Sequence, residues 1–102
     1  MASTPEGRVK AKVVQQLKAL DAYYFFPATG GFGASGVPDV VGCYRGCFFA
    51  IECKAGNNKP TLLQDRHIKR ISQAGGYSWV VNEKNVHLVT EALRLYGKTK
   101  EN

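Results

Sequence analysis

Acid is scarce in this sequence. Eight Asp and Glu stand against fourteen Lys and Arg among 102 residues, a net charge of +6. Such a surface suits a polyanionic partner without establishing one. Long apolar runs are also missing: nothing approaches the ~18 residues of a membrane-spanning helix. Met1 to Gly7 lacks the basic and apolar regions of a secretory signal, so a cytoplasmic location is the expectation. Cysteine is limited to Cys43, Cys47 and Cys53, with no Cys-x-x-Cys pair. That spacing argues against a zinc site and for reduced thiols that pack as small apolar residues. No internal repeat is present. The one glycine-rich stretch lacks the Gly-Lys-Ser/Thr ending of a nucleotide-binding loop, which weakens an NTPase reading.

What is there fits an ordinary globular chain, 44% hydrophobic and 22% charged, with room for one domain over residues 1–102. Ser3-Thr4-Pro5-Glu6 combines a cap, a first-turn proline and an acid at the positive helix end. A helix should start there, carry Val9, Val13, Leu17 and Leu20 as its apolar stripe, and end near Asp21. Tyr23 to Phe26 reads as a short extended segment, buried or at a strand-like edge. Pro27 to Gly36 is too rich in glycine for regular structure.

Two strands follow, Val40 to Tyr44 and Cys47 to Cys53, joined at Arg45-Gly46 in a tight hairpin. Both are nearly all apolar, which predicts that both faces are covered. Thr61-x-x-Gln64 has the form of a capping box opening a helix whose face runs through Leu63, His67, Ile68, Ile71 and Ala74. Gly75-Gly76 closes that helix. Tyr77 to Val81 is the next strand, reached by a crossover, and Asn85 to Tyr96 a last helix. The order implies an α/β sandwich around a small mixed sheet.

The hairpin gives two acids a meeting point. Asp39 and Glu52 are equidistant from the Arg45-Gly46 turn, so pairing sets them opposite one another. Like charges facing each other destabilise unless a cation lies between them, and a hard divalent ion with oxygen ligands is the usual solution. Lys54, two residues beyond Glu52, shares its face. Cys53 points the other way, which leaves its backbone carbonyl as a further ligand. Glu6 adds a third carboxylate if the first helix packs its N-terminus against the strand ends. A metal with two carboxylates and an ammonium can activate water and stabilise a phosphodiester under attack. Ser35 and the backbone of the glycine stretch can approach a phosphate. Lys59, Arg66, Lys69 and Arg70 can form a rim that tracks a nucleic-acid backbone.

Glu6 on a first helix, Ser35-Gly36-Val37-Pro38-Asp39, Glu52-Cys53-Lys54 and Gln64 resemble the PD-(D/E)XK nucleases. In this compact order they look most like the virus-type replication-repair nuclease domain, VRR-NUC. The resemblance spans Glu6 to Val81. It implies a restriction-endonuclease-like fold and an endodeoxyribonuclease with Mg2+ or Mn2+ held by Asp39, Glu52 and the Cys53 carbonyl. Glu6 and Gln64 would support that site, with Lys54 as the catalytic lysine. It also implies DNA as substrate, branched duplexes such as Holliday junctions in particular, and a homodimer.

Each residue has a plainer reading as well. Asp39 after Pro38 can start a turn, and Glu52 can pair with Lys54. Glu6 can serve the helix dipole, and Gln64 the capping box. His67 and His87 read as ordinary core or surface histidines. The basic residues after Asn58 can be a solvated helix face. The alternative function is a nucleic-acid-binding module that kept the fold without the reaction. A small structural protein with a coincidental motif would bind neither metal nor DNA.

Overall fold

The structure is a computed structural model that describes residues 4–28 and 36–98. Its first helix, α1 (Pro5–Ala19), starts as the sequence requires. The Thr4 hydroxyl accepts from the Gly7 N–H at 2.9 Å, with Pro5 in the first turn, where no N–H is missed. Leu20 caps its end and Asp21 turns the chain at φ 59°. The short strand β1 (Tyr23–Phe25) follows, then β2 (Val40–Tyr44) and β3 (Cys47–Cys53). Arg45 and Gly46 both have positive φ, 51° and 80°. That is the two-residue turn whose twist matches a hairpin.

Next come α2 (Leu62–Gln73), β4 (Tyr77–Val81), a 3-10 turn (Val86–Leu88) and α3 (Val89–Lys98). The single helix expected from Asn85 is therefore two pieces. At the start of α2 the capping box is complete: Gln64 N–H donates to Thr61 Oγ1 at 3.2 Å, and Thr61 N–H donates to Gln64 Oε1 at 2.9 Å.

The four strands stand in the order β1-β2-β3-β4, antiparallel except for β4, which runs parallel to β3 as a crossover through α2 demands. This is the small mixed sheet flanked by helices that the element order implied. One face carries Val40, Phe49, Ile51, Cys53 and Val81 against Val9, Val13 and Leu17 of α1 and Val89 and Leu93 of α3. Each such side chain stabilises the fold by ~1.5–3 kcal/mol when fully buried. Gln16 fastens the two helices together. Its Nε2 donates to the Val86 carbonyl at 2.7 Å, and its Oε1 accepts from Thr90 N–H at 3.0 Å and Thr90 Oγ1 at 2.9 Å. Gly42 lets β1 approach, since a Cβ there would collide with the Tyr23 carbonyl oxygen.

The opposite face departs from expectation. The helix α2 packs on β4 and the adjoining part of β3, so the β1-β2 side of that face is left uncovered by it. Tyr23 is 69% exposed, Phe25 48% and Phe48 46%, and Cys43 is exposed beside them. Coverage of both strand faces is thus partial, and of the three thiols only Cys47 and Cys53 pack as buried apolar groups. α2 itself holds no fully buried residue, and Leu63 and Ala74 of its predicted apolar face are exposed. Among the described residues, no helix is long and apolar enough to cross a membrane.

Candidate metal centre

The site grows from the open end of the hairpin. Pairing of Val40 with Ile51 is the last ladder step of β2. One residue earlier Asp39 supplies a carboxylate in place of a backbone partner: its Oδ2 accepts from the Cys53 N–H at 2.9 Å. The Asp39 side chain is thereby fixed at the strand ends. A strand residue's N–H and C=O leave the same edge, so the Cys53 carbonyl faces the Asp39 side. The Cys53 side chain is in the core, its thiol pushed up to about 12 by burial and then by the neighbouring Asp39 and Glu52 charges. A protonated, inward-facing thiol is no metal ligand.

Glu52 is 1% exposed and is the one buried charged residue of the described core. Neither of its oxygens has a hydrogen-bond partner, and Lys54 Nζ stands 3.2 Å from Oε2 as an ion pair. Burial raises its pKa to about 7, helped by the charge of Asp39 and, more weakly, Glu6, while Lys54 opposes the rise. Glu6 arrives from the first turn of α1. Glu6, Asp39 and Glu52 each offer an oxygen, and these atoms all lie within 4.8 Å of one another. Three of eight acids therefore meet at one point.

That donor set fits a divalent cation. All three side-chain donors are hard oxygens, which suits magnesium or manganese. A buried carboxylate with both oxygens unbonded costs several kcal/mol unless something positive meets it, and one lysine answers only one oxygen. The centre opens on a cleft of about 490 Å³, lined by Thr4, Glu6, Lys10, Asp39, Cys53 and Asn58 among others.

No family model matches the sequence, and no curated protein matches it. A solved structure described as a VRR_NUC domain does match, with 28% identity and a TM-score of 0.70, over 87% of this chain and 97% of that one. The fold is that of a VRR-NUC domain. The likeness supports a nuclease-family domain.

The remaining residues singled out from the sequence are dispersed. Gln64 has its carbonyl oxygen committed to the Thr61 cap. Lys59 is exposed in the connection before α2, and Arg66, Lys69 and Arg70 are exposed on that helix. Asp65 partly offsets this charge by pairing with Lys69 at 2.9 Å. Ser35 lies outside the described residues. His67 and His87 take no place in the acidic cluster.

Lys10 was not singled out from the sequence. It lies one helical turn after Glu6, on the same side of α1, and lines the cleft. The signal was its four-residue spacing from Glu6, which only the packing of α1 against the strand ends makes meaningful.

Proposed function

We propose that this chain is a Mg2+- or Mn2+-dependent DNA endonuclease, with Glu6, Asp39, Glu52 and the Cys53 carbonyl as the metal-binding set. The observation that carries the reading is the buried, unbonded Glu52 carboxylate held among Asp39, Glu6 and Lys54. The metal, once bound, would polarise the scissile phosphate and lower the pKa of a water. The chain's own part is positional. Asp39 is anchored through one oxygen by the Cys53 N–H, which keeps the set in register with the sheet. Lys54, only 12% exposed, keeps its ammonium where negative charge grows on the phosphorus centre. Glu52 fixes that ammonium through the ion pair and would be one of the residues that hold the cation. Gln64 would support the site only through the start of α2 that it caps with Thr61.

Lys10 lines the same cleft, and its charge favours a phosphate at the mouth. Arg66, Lys69, Arg70 and Lys59 would track the DNA backbone beyond it, and Ser35 would meet a phosphate nearby. Branched duplex is the proposed substrate, cut by a homodimer that supplies two such centres. The test is cleavage of linear, flap and four-way DNA with added magnesium or manganese and with excess chelator. Cleavage is expected only with metal and is expected to vanish in Glu52→Gln. Undiminished cleavage in chelator, or a Glu52→Gln protein that cuts normally, would overturn the assignment.

A further inference from the structure

A half-exposed aromatic ring, Phe26, reaches the cleft through its contact with Lys10. Phe26 follows β1, is 49% exposed, and meets Tyr24 edge-on at 6.0 Å between centroids. Tyr24 is itself packed against the core, so the Phe26 ring is braced from the protein side. Lys10 Nζ sits 4.4 Å from the Phe26 centroid, and the same lysine lines the cleft that holds Glu6 and Asp39. A braced, half-exposed ring therefore stands against a cation that lines the cleft of the acidic centre.

We infer that Phe26 is a stacking platform for an unpaired nucleobase next to the scissile phosphate, with Lys10 taking the phosphate of that nucleotide. The inference rests on the nuclease reading above and narrows it to DNA that offers an unstacked base at the cut. Base-on-aromatic stacking needs an exposed π-face and little else, which Phe26 provides. An exposed cation–π contact is worth only ~0.5–1 kcal/mol, so Lys10 leaves the ring cheaply when a phosphate competes for it. A base inside a continuous duplex keeps both faces stacked on its neighbours and cannot use the ring. Charge complementarity selects a nucleotide rather than a bare apolar partner, because the ring comes paired with the cation.

The test uses the full chain carrying Glu52→Gln, so that DNA is bound without being cut. Affinities are measured for a blunt duplex and for the same duplex with a single-stranded arm, alone and with Phe26→Leu or Phe26→Trp added. The arm-over-blunt affinity ratio is expected to fall about fivefold with Phe26→Leu, the low end of the cost of losing one stacked base, and to survive Phe26→Trp. A 2-aminopurine at the arm junction should be quenched on binding, and Phe26→Leu should relieve the quenching. Lys10→Gln should reduce the salt dependence by about one counterion. An unchanged ratio with unchanged quenching in Phe26→Leu overturns this inference and leaves the nuclease reading standing. Failure of the Glu52→Gln chain to bind either DNA, with no metal-dependent cutting by the wild-type chain, overturns both.

Discussion

Glu52 makes the chain's stability a function of its own titration. Its pKa is 4.5 in an ordinary setting and about 7 in the folded chain. The folded state therefore holds a proton that the unfolded state has released between those values. Stability falls as pH rises through that window, and above it the full cost remains, on the order of 3 kcal/mol. Glu52→Gln should remove this dependence. In chelator at pH 8 the variant is expected to melt above the wild-type chain by on the order of 10 °C, with the gap closing near pH 4.5. Protons should also compete with metal, so metal affinity of the wild-type chain should weaken about tenfold per pH unit below 7. A Glu52→Gln chain that melts lower than wild type at pH 8 would contradict the burial argument. Lys54→Ala makes the complementary change. It should lower single-turnover cleavage by orders of magnitude while a metal titration moves little, since the lysine acts on phosphate charge. Loss of metal binding with normal turnover at saturation would assign it to the ion instead.

At the scale of elements, the most consequential fastening is the amide of Gln16. Gln16→Leu would strand both Thr90 donors at the α1-α3 contact and take one of two donors from the Val86 carbonyl, which keeps the Val89 N–H. A loss of roughly 2–4 kcal/mol is expected, read as a lower melting temperature with amide exchange rising first in α3. Local chemistry made much of this architecture legible. The Thr61 capping box, the Pro5 start and the Arg45-Gly46 turn each rest on contacts within four residues, and each stands as read. The convergence of Asp39 with Glu52 followed from counting outward from that turn. What periodicity could not tell was how far sideways a helix sits on a sheet. α2 lies over β4 rather than over the sheet centre, and this lateral offset is why Phe48 and Cys43 are exposed despite their apolar surroundings. The role of Lys10 was hidden for the same reason: it depends on where α1 meets the strand ends.

The whole molecule has an uneven surface. One flank shows Tyr23, Phe25 and Phe48, and at another the α2 helix presents Arg66, Lys69 and Arg70. The apolar flank is the proposed contact between two copies, with the short outer strand β1 at its border. A soluble chain of this size leaves few exposed aromatics together without a partner. Paired nicks across a four-way junction should then rise with protein concentration in step with dimer formation, and Phe25→Glu with Phe48→Lys should uncouple the two nicks. A chain that sediments as a monomer at micromolar concentration while still making paired nicks would exclude the dimer; a monomer that nicks flaps would shift the substrate to flaps.

The two-residue turn between β2 and β3 also limits what related sequences can look like. Adding or deleting one residue there moves Asp39 by one step against Glu52. In a strand that is half a pleat, so the carboxylate would leave for the other side of the sheet. The thirteen-residue separation of Asp39 and Glu52 is thus a fixed length, like the gap between the jaws of a vice. Length variation must fall elsewhere, in stretches such as that between Lys54 and Thr61, which no ladder spans. Divergent chains that keep this centre should drift in composition along the hairpin and yet resist insertion within it.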